Sequence, residues 1–314
     1  GFRPDFVWLK NRDTAVSHSI YDVVRGAGQE LKSDTNAAVN VVTDRLKSFD
    51  SDGFTLGTSW GNISNGNKYV AWNWLAGGSQ GSSNTDGSIN TTYTSVNTTA
   101  GISISQYTGT GSLATVGHGL GAKPGMILFK EINGTNQWLV YHQGITANKT
   151  LHLNGTDAQN DNTTSFNDTE PTSTVFTINT VANVNQSGQN YIAYAFAPKK
   201  GFSKFGTYVG NGNADGTFVY TGFKPAFIMQ KKASGTSDWV IYDNKRSIFN
   251  VVTKELKANT NATESTFDGI DILSNGFKQR ADYSYTNNSG ATYIYMAFAE
   301  EPLVSSNNIP ATAR

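Results

Sequence analysis

Short apolar runs recur along this chain, each bounded by Gly, Asn, Asp or Pro. "DFVWLK", "GMILFK" and "AFIMQK" follow Pro4, Pro124 and Pro225. Runs of this length, rich in Val, Ile, Phe, Tyr and Trp and set between turn residues, predict β-strands. A later aromatic run reads "YVAWNWLAG", "YIAYAFAPK" and "YIYMAFAEE". In it Val70, Trp72 and Trp74 alternate with Tyr69, Ala71 and Asn73, a bulky face backed by smaller residues, as on an inner strand of a sandwich. Helix formers gather in "QELKSDTNAAVNVVTDRLKSFDSDG", but Asn, Thr and β-branched residues interrupt them. That stretch is read as a strand, "QELK", followed by a polar loop, with a short helix as the alternative.

These runs repeat in order. From each proline to a tyrosine (Tyr21, Tyr141, Tyr242) is 17 residues in all three places. Phe54, Phe176 and Phe277 lie 50, 52 and 52 residues after the prolines, and Tyr69, Tyr191 and Tyr293 lie 65, 67 and 68 after them. Internal self-similarity at this scale predicts a repeat architecture. The fold class expected is all-β: three tandem homologous β-sandwich, jelly-roll-like repeats of about 100 residues each.

The expected boundaries are 1–78 for the first repeat, 101–201 for the second and 202–302 for the third. Residues 79–100, "SQGSSNTDGSINTTYTSVNTTA", are rich in Gly, Ser, Thr and Asn and read as a linker. Residues 303–314 read as a polar C-terminal tail. Tyr107 and Tyr208, in "ISISQYTGTG" and "FSKFGTYVGNG", each precede their proline by 17 residues. The first repeat has no such element, so its opening strand is expected from upstream residues, from the tail after Pro302 or from another subunit.

Composition narrows the function. Lys and Arg total 24, Asp and Glu total 24, and the net charge is zero. A nucleic-acid partner is not expected, since phosphate recognition needs clustered cations. The apolar runs are too short to span a membrane as helices. There are no cysteines, which removes disulfides, thiolate metal sites and cysteine nucleophiles together.

Catalytic groups are sparse. The histidines are His18, His118, His142 and His152. His142 and His152 lie in one repeat, but Asp243 stands where His142 would recur, so a shared metal site fails and none is expected. Asp50 with Asp52, and Glu300 with Glu301, are carboxylate pairs of the kind glycosidases use, but their sequence settings read as turns and chain ends. "DSDG" and "NADG" lack the spacing of a calcium loop. No catalytic residues, metal or cofactor are expected. Loop aromatics with polar neighbours are candidates for glycan binding: Trp60, Tyr93, Tyr283 and Tyr285. Trp8, Trp72, Trp74, Trp138 and Trp239 are read as core.

The combination "GFRPDFVWLKNRD", "YDVVRGAG", "SFDSDGFTLG" and "YVAWNWLAGG", with "VGHGLGAKPGMILFK" and "GFKPAFIMQKK", resembles a repeat domain of tail-fibre and other virion surface proteins of tailed phages, marine ones especially. The resemblance covers nearly the whole chain. It implies a non-enzymatic structural protein at a virion or extracellular surface, with other virion subunits as partners. It also implies a homo-oligomer, a trimer by analogy with fibres, and contact with bacterial surface glycans. The alternative expectation is a purely assembly role, in capsid decoration or an extracellular filament, using strand addition between subunits.

Overall fold

The computed structural model describes residues 1–58 and 66–300. Trp60 and the tail 303–314 lie outside the described residues. The protein is all-β. The first segment carries β1 (Phe6–Asn11), β2 (Ser19–Asp22), β3 (Gln29–Glu30), β4 (Asn40–Val41), β5 (Leu46–Asp50), β6 (Gly53–Leu56) and β7 (Tyr69–Trp74). The second carries β8 (Tyr93–Asn97), β9 (Ile102–Thr108), β10 (Ala114–Gly117), β11 (Met126–Glu131), β12 (Leu139–His142), β13 (Lys149–His152), β14 (Asn160–Asp161), β15 (Val175–Ile178) and β16 (Asn190–Phe196). It also holds two helical turns, α1 (Thr163–Phe166) and α2 (Ala182–Asn185). The third carries β17 (Ser203–Val209), β18 (Phe218–Tyr220), β19 (Pro225–Lys232), β20 (Trp239–Asp243), β21 (Val252–Lys257), β22 (Ser265–Leu273), β23 (Gly276–Gln279) and β24 (Thr292–Ala299).

One pairing scheme recurs. The run after each offset-matched proline, β1, β11 or β19, pairs antiparallel with β2, β12 or β20 on one side and with β7, β16 or β24 on the other. Trp8 faces Trp72, Leu128 faces Tyr194, and Met229 faces Met296. The resulting sheets run β2-β1-β7, β14-β13-β12-β11-β16-β9-β8, and β17-β24-β19-β20-β21-β22-β23-β18.

The segments are not three sandwiches in a row. The inner faces of all three sheets pack into one shared core that holds Phe6, Trp8, Trp74, Leu128, Phe196, Met229 and Phe298. The outer faces of the three sheets carry separate cores around Tyr21 and Leu46, around Phe129 and Phe176, and around Tyr242 and Phe277. Both faces of β1, β11 and β20 are therefore buried along their whole lengths, which is why these runs lack polar alternation. At the centre Trp74, Phe196 and Phe298, which occupy matching positions, touch one another. Their ring centroids are 6.4, 5.6 and 5.9 Å apart.

Side-chain hydrogen bonds set in two rings help tie the segments together. In the first, His18 Nε2 meets the Lys257 carbonyl at 3.0 Å, Trp239 Nε1 donates to the His152 carbonyl at 2.9 Å, and Trp138 Nε1 donates to the Lys32 carbonyl at 2.8 Å. His18, Trp138 and Trp239 each lie 14 residues after their proline. The ring runs from first to third, third to second and second to first. In the second ring Trp72 Nε1 donates to Asp243 (3.0 Å), His142 Nε2 to the Tyr295 carbonyl (3.1 Å), and the Tyr194 hydroxyl to Asp22 (2.6 Å). Asp22, His142 and Asp243 each lie 18 residues after their proline.

Residues 79–100, read from composition as a linker, are folded onto the second segment instead. β8 pairs with β9 along its length, Ile89 is buried and bridges Val116, and Thr94 bridges Ser82. The hydroxyls of Thr91, Thr94 and Ser105 form a buried chain at 2.9 and 3.1 Å. Small polar side chains that look like linker composition here satisfy one another inside an edge strand. The expected strand at "QELK" is present only as the two-residue β3, with Leu31 bridging Ile20. The polar loop at the matching place in the second segment winds into α1.

Candidate functional site

Aromatic side chains lie beside polar groups in two candidate sites among the described residues. The first is on the outer layer of the third segment. Tyr283 and Tyr285 follow β23 in a loop and stack with centroids 5.4 Å apart and ring planes 7° from parallel. Phe267 of β22 meets Tyr283 edge-on at 5.8 Å and is 45% exposed. Lys257 Nζ lies over the Tyr285 ring at 5.5 Å and pairs with Asp238 at 2.8 Å. Burial, and then the negative charge of Glu255 beside it, push the Tyr285 hydroxyl well above its ordinary range.

Of the loop aromatics singled out from sequence, Tyr283 and Tyr285 are thus brought together. Tyr285 is half-buried against the third segment's own core. Tyr93 is elsewhere: it opens β8, faces Gln106 and packs half-buried against the shared core. The most exposed ring of the cluster, Phe267, was not singled out. Its signal was its setting in "STFDGID", an aromatic between polar residues, with Thr266 and Asp268 exposed on either side.

The second place is a cavity of about 580 Å³ running along β7. Trp72, Trp74, Phe202, Phe227 and Phe298 contribute apolar walls, and Asp243, Asn244 and Glu300 also line it. It sits on the outer edge of β7. The counterparts of that edge are covered: β16 is flanked by β9 and β24 by β17. Among the described residues no strand pairs with the outer edge of β7.

The titratable groups of the interior are committed to structure. His18 Nδ1 accepts from Trp8 Nε1 at 2.9 Å, His118 Nδ1 from the Leu120 amide at 3.1 Å, and His142 Nδ1 from the Gly144 amide at 3.0 Å. Their Nε2–H groups therefore donate, to the carbonyls of Lys257, Thr172 and Tyr295. Burial lowers His18 to about 3, and His118 and His142 to about 4. Lys10, Lys130 and Lys231, each at the same offset from its proline, are buried with Nζ donating to the carbonyl of the next residue, at the strand end, and to a loop carbonyl beyond it, of Thr14, Gly134 or Gly235. Burial lowers all three to about 8. Among the described residues no cluster of three or more His, Asp or Glu is arranged to hold a metal ion, and no helix is long and apolar enough to cross a membrane.

The chain is thus all-β, with the inner faces of its three sheets closed around one shared core. The chain belongs to the family described as a domain of unknown function (DUF7483), whose match covers residues 1–302 and so runs through all three segments. No curated protein and no solved structure matches it.

Proposed function

We propose that this chain is a non-enzymatic structural component of a virion surface, a tail-fibre, appendage or capsid-decoration protein, built from three tandem copies of one unit. The observation that carries the reading is the closed ring whose β7, unlike its counterparts β16 and β24, has no strand on its outer edge among the described residues. The matched strand pairing and the two cyclic sets of hydrogen bonds support the repeat. The motif resemblance to phage tail-fibre and virion proteins supports the location. The ring closes within one chain, so a homo-oligomer would use its outer surface. Burial of His18, His118 and His142 with both ring nitrogens engaged supports a non-catalytic role, because none of them is placed to move a proton to or from a ligand. The test is a cryo-EM map of particles that contain this protein. Finding it at an external surface, with density from another chain beside β7, supports the proposal; finding it only among soluble, non-particle proteins contradicts it.

The Phe267, Tyr283 and Tyr285 cluster favours a second reading, contact with host glycans. Aromatic surfaces accept the C–H faces of sugar rings, and the loop position suits recognition. Binding to host cells or a glycan array should fall at least tenfold in Phe267→Ala and Tyr283→Ala. Undiminished binding in both variants removes this site.

A further inference from the structure

We propose that the outer edge of β7 docks an antiparallel β-strand supplied by another polypeptide, of the pattern that β9 and β17 display. This rests on the assembly reading above and assigns its partner a chemistry and a register.

The strands β9 and β17 are the templates. On β16, Tyr191, Ala193 and Ala195 face Tyr107, Ser105 and Ser103, and the flanking Gly109 amide bonds the Gln189 carbonyl at 2.8 Å. On β24, Tyr293, Tyr295 and Ala297 face Tyr208, Gly206 and Lys204, flanked by the Gly210 amide on the Ala291 carbonyl at 2.9 Å. The matching positions on β7 include Ala71 and Asn73. The bond from the Arg12 amide to the Lys68 carbonyl, 2.9 Å, fixes which residues of β7 aim their main chain at β1. Alternation from Lys68 gives Val70, Trp72 and Trp74, so the main-chain groups of Ala71 and Asn73 point to the open side.

Asn73 is an independent sign of what belongs there. Its Nδ2 donates back to the Ala71 carbonyl at 3.3 Å, where a neighbouring strand's amide would sit. Its Oδ1 is buried without a hydrogen-bond partner. The matching residues under β9 and β17 are Ala195 and Ala297. The side-chain amide stands in for the strand incompletely, satisfying one carbonyl and leaving its own oxygen unmet. Phe54 points the same way: it is half-buried, whereas its counterparts Phe176 and Phe277 are 1% and 0% exposed beside Tyr107 and Tyr208.

The cavity supplies the specificity. Ile104 faces Tyr194, and Phe205 faces Met296. The corresponding place is opposite Trp72, whose ring lines the cavity. The incoming strand should therefore carry an apolar residue opposite Trp72 and a tyrosine three residues later, as Ile104 precedes Tyr107 and Phe205 precedes Tyr208. Main-chain bonds give such a strand its affinity and the alternate pockets its selectivity. The tail "LVSSNNIPATAR" does not fit: Leu303 and Val304 are adjacent rather than alternating, and it has no aromatic residue.

A synthetic peptide of the β9 sequence, AGISISQYTGTG, titrated into the full chain and followed by tryptophan fluorescence and calorimetry, tests this. Saturable binding at one site is expected. Ala71→Pro removes an outward-facing amide while sparing the bonds to β1, so it should weaken binding at least tenfold with little change in melting temperature. Asn73→Ala should strengthen binding several-fold by removing the internal competitor. Absence of binding to the full chain, or equal binding by Ala71→Pro, overturns the proposal. So does binding that emerges only after residues 303–314 are removed, which would assign the edge to the chain's own tail. Self-association of the chain abolished by Ala71→Pro would assign it to a second copy and overturn it likewise. Failure of the peptide leaves the virion location standing, since that is read from the particle.

Discussion

The Trp72 indole donates to the Asp243 carboxylate at 3.0 Å, across the joint where the first segment meets the third. These are the ends of the chain's order, so this contact helps make a closed ring of what would otherwise be a string. Asp243 is also held by Arg246 at 2.6 Å, and that guanidinium lies over the Trp72 ring at 5.6 Å. Burial opposes the charge on Asp243, but Arg246, together with the Trp72 donor, holds its carboxyl below the usual range.

Trp72→Phe keeps an aromatic ring and removes the donor. Loss of a hydrogen bond to a buried charge is worth roughly 1.5–3 kcal/mol. The urea midpoint should fall accordingly while the slope stays constant. An unchanged midpoint would mean that Arg246 alone satisfies Asp243.

The joint between second and first segments should be equally coupled. The Tyr194 hydroxyl donates to Asp22 at 2.6 Å and accepts from Arg25 at 3.2 Å. A double-mutant cycle with Tyr194→Phe and Asp22→Asn should return a coupling energy of about 1–3 kcal/mol, as for contacting residues in one network. Additivity of the two changes would show that the ring is geometric only.

Acid should loosen the ring. His142 is held down to about 4 by burial, against an ordinary 6.5. Between those values the unfolded chain binds the proton and the folded chain does not, so stability falls as pH drops through the window. For His142 alone the loss from pH 7 to pH 5 is about 2 kcal/mol. His18, lowered further by burial and by the charge of Lys10, acts in the same direction. Melting temperatures measured from pH 7 to pH 5 should decline, and His142→Gln should make the decline shallower.

Alkali should act in the opposite sense at first. Lys10, Lys130 and Lys231 are lowered by burial from 10.5 to about 8. Above about 8 the unfolded chain holds protons that the folded chain has released, so stability rises with pH. Near pH 10 the buried tyrosines, raised by burial, reverse the trend, because their unfolded forms ionise first. Melting temperature should therefore climb between pH 8 and about pH 9.5, and Lys130→Met should flatten the climb. A monotonic fall above pH 8 would place these ammonium groups in better-compensated sites.

Much of this was legible in the sequence. The constant spacing from Pro4, Pro124 and Pro225 located β1, β11 and β19, and the later aromatic runs located β7, β16 and β24. The five tryptophans read as core are buried. What spacing could not convey was how the segments close on one another. Nothing in the sequence marks Trp74, Phe196 and Phe298 as mutual neighbours, since that contact exists only once three sheets share one core. His18 stands where Trp138 and Trp239 stand, a substitution that looks unrelated until each is seen bonding a neighbouring carbonyl. Lys10, Lys130 and Lys231 look like solvent-facing strand ends and are buried, because loop carbonyls fold over their ammonium groups. Phe267 escaped notice because exposure of a single strand residue depends on what the other layers cover.

The central claim is that the three segments form one cooperative body around Trp74, Phe196 and Phe298. Hydrogen–deuterium exchange on Trp74→Ala tests it most directly. Emptying that central site should destabilise the protein by about 3–5 kcal/mol, with faster exchange in β16 and β24 as well as in β7. Acceleration confined to β7 and its own sheet, with β16 and β24 as protected as before, would contradict it.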